Sequence, residues 1–217
     1  MKNVLTTLRI TEFFYSLQGE SSTVGIPTVF VRLTGCPLRC HYCDTTYAFH
    51  GGKRIDFESI LQEIASYNCK YVCVTGGEPL AQPACIDLLT QLCDKGYNVS
   101  LETSGARTIE SVDPRVMIVL DIKTPDSGEC DKNLLTNLDY LKPSDQIKFV
   151  LCSHDDYLWA CDVILKNNLQ SIAQILLSPS WGMLDPTLLA NWIVKDRLPV
   201  RFQMQLHKLL WNDAPGH

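Results

Sequence analysis

The sequence predicts an α/β fold built on a mostly parallel sheet, an incomplete TIM-like βα barrel rather than a closed one. Three observations predict it. Apolar, β-rich runs alternate with helical patterns, which argues for parallel strands joined by right-handed crossovers. Glycines and small polar residues recur at the ends of those runs, where such sheets place their ligands. The 217 residues also fall short of the about 250 of a complete eightfold barrel.

In chain order, the strands are expected at 28–33, 70–75, 98–102, 116–122, 146–151, 173–178 and 200–204. The helices are expected at 57–67, 83–95, 132–138, 156–167 and 186–194. Asp185 before Pro186 reads as an N-cap with proline in the first turn. No strand is expected before residue 28, and no repeat, low-complexity tract or linker interrupts the pattern. Residues 1–217 are therefore read as one domain.

Composition narrows the function classes. Hydrophobic residues make up 46% and charged residues 20% of the chain, as in ordinary soluble proteins. No run approaches the roughly 20 apolar residues of a membrane span. Met1-Lys2-Asn3-Val4-Leu5-Thr6 carries no export signal, so a cytoplasmic location is expected. The ten cysteines then read as reduced thiols and metal ligands rather than disulfides. A net charge of −5, with lysine and arginine scattered, gives no footprint for nucleic acid. The expected partner is a small molecule.

The stretch from Gly35 to Thr45 is the most informative. Cys36, Cys40 and Cys43 have a Cys-x3-Cys-x2-Cys spacing in a loop punctuated by Gly35 and Pro37. A structural zinc site takes four ligands, so zinc would need a distant fourth, His41 or His50. Three thiolates suit a [4Fe–4S] cluster that keeps one iron open. That iron could chelate S-adenosylmethionine through its amino and carboxylate groups. Tyr42, set between two of the cysteines, either flanks a bound adenine or packs beneath the cluster. Asp44 and Thr45 offer hard oxygens suited to Mg²⁺, or form a local turn. The other seven cysteines, Cys69 and Cys73 among them, read as core or surface thiols.

Further motifs fall at strand ends. Gly76-Gly77-Glu78-Pro79 ends the 70–75 run, where glycines let backbone approach a ligand closely. Glu102-Thr103-Ser104-Gly105, Asp121-Ile122-Lys123, Gln146-Ile147-Lys148 and Ser178-Pro179 punctuate later strands. Arg32, within an apolar strand, needs a partner. It is either an exposed edge residue or a fork for a substrate carboxylate. Leu17-Gln18-Gly19-Glu20 reads alone as a turn. His207 lies beyond the last strand, where it is either structural or in touch with substrate.

Together these motifs resemble the 7-carboxy-7-deazaguanine synthase family of radical S-adenosylmethionine enzymes, which act in queuosine biosynthesis. The cysteine spacing and Gly-Gly-Glu-Pro mark the superfamily. Leu17-Gln18-Gly19-Glu20 and Cys43-Asp44-Thr45 narrow the resemblance to this family, with Arg32, Leu101 to Gly105, Asp121 to Lys123 and Gln205 to Lys208 adding to it. The compact cysteine spacing and chain length are shared with glycyl-radical activating enzymes, but Leu17 to Glu20 and Arg32 speak against that alternative.

The resemblance implies a role for each of these residues. Cys36, Cys40 and Cys43 hold the cluster, and Thr45 ligates Mg²⁺. Leu17, Gln18, Gly19, Arg32, Thr103 and His207 meet a pterin substrate. Tyr42, Gly77, Glu78, Gly105, Gln146, Ile147, Lys148 and Ser178 meet S-adenosylmethionine. The implied reaction is a ring contraction of 6-carboxy-5,6,7,8-tetrahydropterin to 7-carboxy-7-deazaguanine with loss of ammonia. A 5′-deoxyadenosyl radical would begin it by taking hydrogen from C6 of the pterin. A homodimer and a flavodoxin-like electron donor are also implied. The tail from Trp211 to His217 matches no part of the family pattern.

Overall fold

A computed structural model describes residues 7–212 together with 214 and 216. The N-terminal hexapeptide and three of the seven residues of the unmatched tail, 213, 215 and 217, lie outside the described residues. Among the described residues nine strands form one sheet in the order β3-β1-β2-β4-β5-β6-β7-β8-β9. They are β1 (Thr7–Leu17), β2 (Pro27–Leu33), β3 (Lys53–Asp56), β4 (Tyr71–Gly76), β5 (Asn98–Thr103), β6 (Met117–Asp121), β7 (Gln146–Leu151), β8 (Gln174–Pro179) and β9 (Arg201–Phe202). From β2 to β9 every neighbouring pair is parallel. β1 runs antiparallel to both β2 and β3. The sheet is thus open and mostly parallel, as expected, with a three-stranded antiparallel flank that the sequence did not reveal.

Five α-helices accompany it: α1 (Phe57–Ser66), α2 (Cys85–Asp94), α3 (His154–Lys166), α4 (Pro186–Asp196) and α5 (Leu206–Trp211). Three of their starts are chemically legible. Asp56 accepts from the Ser59 amide at 2.9 Å, Ser153 from Asp156 at 3.1 Å and Asp185 from Thr187 at 2.7 Å. Each satisfies an orphan amide of a first turn. The central strands carry continuous apolar runs, as strands covered on both faces do. Val29, Val31, Val74, Leu101, Ile147 and Leu177 are fully buried in the core.

No strand is expected before residue 28, yet β1 spans Thr7–Leu17; two further expectations fail. Residues 132–138 form no α-helix; short 3-10 turns occupy Cys130–Lys132 and Leu135–Tyr140 instead. Asn137, buried within that segment, bonds the Ile109 amide and the carbonyls of Gly105 and Arg107. Those tertiary bonds fix an irregular path that an α-helix would break. The last strand, expected at 200–204, shrinks to the two residues of β9, and α5 begins four residues later.

All ten cysteines are free thiols. Among the described residues no helix is long and apolar enough to cross a membrane.

Candidate active site

The strand ends from β2 to β9 open onto one cavity of about 270 Å³. The loop after β2 carries Cys36, Cys40 and Cys43 to its wall. Backbone bonds hold this loop: Gly35 donates to Ala48 O at 2.8 Å, and Glu78 N donates to Gly35 O at 2.8 Å. Arg39 folds back to donate to Cys36 O and Leu38 O at 2.8 and 2.7 Å. Its guanidinium lies 4.1 Å from the Phe49 ring centroid, a cation–π contact. The Gly77 backbone passes so close that a Cβ there would sit 2.4 Å from Gly35 O and 2.8 Å from Cys36 Cβ.

The donor set fits a cluster better than a single ion. Among the described residues, no three His, Cys, Asp or Glu side chains are grouped to hold one metal ion. Tetrahedral zinc requires such convergence, whereas a cluster spreads its thiolates over separate irons. His41 does not line the cavity that the three cysteines share; its Nδ1 lies 3.1 Å from Asp126 O. Burial raises all three thiol pKa values, that of Cys40 to about 11. Thiolates in this place need the compensating positive charge that bound metal supplies.

Behind the cysteines lies a buried network of charge. Lys123 pairs with Asp121 at 2.8 Å, and Lys148 pairs with Glu20. Burial opposes charge on Glu20, but Lys148 and Gln205 hold its carboxyl below the usual carboxylate range. The Tyr42 hydroxyl and Asp121 Oδ1 are buried without a partner among the described residues. Polar atoms left so are costly unless a ligand completes them.

The opposite wall belongs to the antiparallel flank. Arg32 on β2 is paired across the sheet with Glu12 on β1. Its Nε donates to Glu12 Oε1 at 2.7 Å, and Tyr47 donates to the same oxygen at 2.7 Å. The Arg32 guanidinium also packs over Phe14 and Tyr47. Its terminal nitrogens make no hydrogen bond to the described protein, so the outer edge of the fork faces the cavity.

α5 roofs the cleft. Leu206 N donates to Gly19 O at 2.9 Å, Gln205 Nε2 donates to Glu20 at 2.9 Å, and Lys208 pairs with Asp44 at 2.9 Å. Although burial opposes it, Lys208 together with the Thr45 hydroxyl holds the Asp44 pKa at about 2. His207 lies against Gly19, where an added Cβ would come within 2.2 Å of its Nδ1. Glycine is the residue that admits the imidazole there. Thr45 donates to Asp44 Oδ1 at 2.8 Å.

Of the eighteen residues to which the resemblance gives a role, thirteen line this cavity: Leu17, Gln18, Gly19, Arg32, Cys36, Cys40, Tyr42, Cys43, Thr45, Gly77, Thr103, Lys148 and His207. Five do not. The Glu78 carboxylate is fully buried and takes bonds from Leu80, Thr103 and Ser104. Ile147 is a core residue, and the Ser178 hydroxyl is buried without a partner among the described residues. The Gln146 side chain turns away to Ser22, accepting from its amide at 2.8 Å. Gly105, at φ +74, packs by Asp121 O. None of these five brings a side chain into the lining of the cavity. Sequence patterns assign no role to Glu12, Glu102 or Lys208, all of which line or brace the cleft. Glu12 is hidden because β1 itself is not recognisable as a strand.

Three thiols and glycine-bearing strand ends around one cleft of an open parallel sheet define a radical S-adenosylmethionine protein, and the profile of the Radical SAM superfamily matches residues 30–127. The 7-carboxy-7-deazaguanine synthase of Chlorobaculum tepidum is 46% identical, over 96% of this chain and 97% of its own. That of Koribacter versatilis is 39% identical, over 94% and 97% respectively. This chain belongs to the 7-carboxy-7-deazaguanine synthase family. The crystal structure of QueE from Escherichia coli shares its fold, with a TM-score of 0.77 over 93% of this chain and 95% of that one, at 22% identity.

Proposed function

We propose that this enzyme converts 6-carboxy-5,6,7,8-tetrahydropterin into 7-carboxy-7-deazaguanine with loss of ammonia, in a Mg²⁺-dependent ring contraction. One observation carries the reading: the three cysteines, Thr45, Arg32 and the Gln18-Gly19 turn all face a single cleft. A reduced cluster with bound S-adenosylmethionine would supply the radical chemistry that begins the rearrangement. Cys36, Cys40 and Cys43 would hold the cluster. The backbone at Gly77 would receive the methionine end of the cofactor, and Tyr42 would flank its adenine. Thr45 would hold Mg²⁺ against substrate oxygens. The open edge of Arg32 would anchor the substrate carboxylate, with Glu12 and Tyr47 fixing the guanidinium. α5 would exclude water and stray hydrogen donors from the closed site. The enzyme would work in the cytoplasm as a homodimer, taking electrons from a flavodoxin-like donor.

Anaerobic incubation of the reduced, reconstituted protein with S-adenosylmethionine, Mg²⁺ and the carboxypterin should yield the deazaguanine acid. No product from fully loaded protein overturns the assignment.

Arg32→Ala tests the anchor. Hydrogen bonds to charged groups are worth about 1.5–3 kcal/mol, so affinity for the pterin acid should fall roughly tenfold to a hundredfold. Affinity for S-adenosylmethionine should stay within about twofold. Equal losses for both ligands would make Arg32 part of the scaffold. Glu12→Gln, which keeps the arginine but loosens its hold, should give a smaller loss for the pterin alone.

A further inference from the structure

One buried ion pair beside the cysteine loop takes no part in the reaction proposed above. Asp121 ends β6, and Lys123 follows two residues on. Their side chains are 16% and 10% exposed and meet at 2.8 Å. Asn133 clamps the Lys123 backbone: its Oδ1 accepts from Lys123 N and its Nδ2 donates to Lys123 O, each at 2.8 Å. Backbone and ammonium are therefore both held in place. Asp121 and Lys123 line the cavity together with Cys36, Cys40 and Cys43.

The pair turns its positive end to the thiols. Lys123 Nζ stands 5.6 Å from the centroid of the Tyr42 ring, a cation–π contact. Tyr42 sits between Cys40 and Cys43 in the loop. Burial raises the pKa of all three thiols, and the Lys123 charge pulls each back down. At Cys40 it outweighs the opposed charge of Asp121. Burial also opposes charge on Lys123 itself, but Asp121 holds its pKa well above the usual lysine range. Two other cations are nearby. Arg39 is exposed and bound to the Cys36 and Leu38 carbonyls, where water and salt screen it. Lys148 is held by Glu20 and reaches Asp121 only at 4.0 Å.

We propose that Lys123 tunes the reduction potential of the cluster, its buried ammonium favouring the more negative, reduced state, with Asp121 as the counter-charge that limits the effect. Net charge and solvent exposure around a cluster set its potential. One electron passes from a one-electron donor to the cluster, the donor is oxidised by one electron, and no bond forms or breaks. The role rests on the cluster held by the three cysteines and not on the identity of the substrate. At an effective dielectric of roughly 20, a unit charge within about 10 Å shifts such an equilibrium about tenfold or more.

The test is a redox titration of the cluster-loaded protein with dithionite and mediators, under anaerobic conditions and without S-adenosylmethionine or pterin. Iron and sulfide per chain are measured first, and reduced cluster is counted by electron paramagnetic resonance. At the wild-type midpoint the reduced and oxidised forms are equal. Lys123→Met, which keeps length without charge, should lower their ratio at least about tenfold, a fall of about 59 mV or more for one electron. Lys123→Arg keeps the charge and should bring the ratio back to within about threefold of wild type. Asp121→Asn leaves the ammonium without its counter-charge and should raise the ratio above wild type. Because it removes no cation from the thiols, Asp121→Asn tests the sign independently of how well Lys123→Met loads. Loss of packing would not move the two partners of one bond in opposite directions. Equal potentials in all variants, or shifts of one sign, overturn this role and leave the proposed reaction standing. An unmoved potential with a collapse in S-adenosylmethionine affinity also overturns it, by making Lys123 a ligand contact alone. Wild-type protein that holds no cluster overturns the role and the proposed reaction together.

Discussion

Gly77→Ala is expected to leave the protein folded but unable to retain a full cluster. The added methyl carbon would lie 2.4 Å from Gly35 O, 2.7 Å from Gly35 C and 2.8 Å from Cys36 Cβ. Two of these atoms are backbone, and the third is the root of a cluster thiol, so no flexible side chain can yield. The segments are also pinned together, since Gly77 N donates to Leu33 O at 3.2 Å and Glu78 N to Gly35 O at 2.8 Å. Something must move, and the element in direct contact with the new methyl is the start of the cysteine loop. Overpacking of this kind costs about 1–3 kcal/mol. For a domain of this size, that lowers Tm by roughly 2–12 °C. The cluster effect should be larger, because Cys36 is displaced along with Gly35. Iron and sulfide per chain after reconstitution should drop to a small fraction of wild type, with far-ultraviolet circular dichroism preserved. Wild-type iron content in the variant would show that the close approach does not position the loop.

The parallel half of this fold is legible in the sequence because its strands obey a simple rule. Strands covered on both faces become apolar runs, as in Tyr71 to Val74 or Ile175 to Leu177. The caps at Asp185 and Ser153 depend on equally local chemistry. The elements that escape are either short or set by tertiary contact. β1 mixes charge into its interior at Arg9 and Glu12, and a register irregularity between Ile10 and Glu12 breaks its alternation. β3 is an edge strand of four residues, three of them charged. Such edges carry charge to discourage further pairing and leave little apolar signal. α5 has six residues, too few for a helical period to show.

Legibility of the site divides in the same way. The cysteines announce themselves by spacing alone. Arg32 stands out as a charge within an apolar strand. By contrast, the Lys208–Asp44 and Lys148–Glu20 pairs join residues far apart in the chain, and no local pattern encodes them. Glu102 lies in a motif whose neighbour Thr103 draws the eye first. Only the folded sheet shows that it takes hydrogen bonds from Thr75 and Gln18 within the cleft.

The second large effect belongs to Glu78, whose reading changes between sequence and structure. The family resemblance implies that Glu78 contacts the cofactor. Instead it is 0% exposed and fully committed within the protein. Its oxygens accept from Leu80 N at 2.9 Å, Thr103 Oγ1 at 2.9 Å, Ser104 N at 2.7 Å and Ser104 Oγ at 2.5 Å. One carboxylate therefore ties the end of β4 to the end of β5, the two strand ends that frame the middle of the cleft. Glu78→Ala would strand two backbone amides and two hydroxyls and open a cavity beneath them. Each unmet buried donor costs about 1–3 kcal/mol, and partial relaxation leaves a net loss on the order of 3–5 kcal/mol. At this size a loss of that order lowers Tm by roughly 6–20 °C. Glu78→Gln keeps the shape but turns one acceptor into a donor facing donors, so it too should destabilise, by a smaller amount. Thermal unfolding of the cluster-free protein reads this directly, free of any contribution from ligand binding. If Glu78 instead served the cofactor through its side chain, Glu78→Gln would unfold like wild type while its affinity for S-adenosylmethionine collapsed. The bonds around Glu78 predict the reverse order of effects: stability falls first, and cofactor affinity changes only as far as the β4 and β5 ends drift apart.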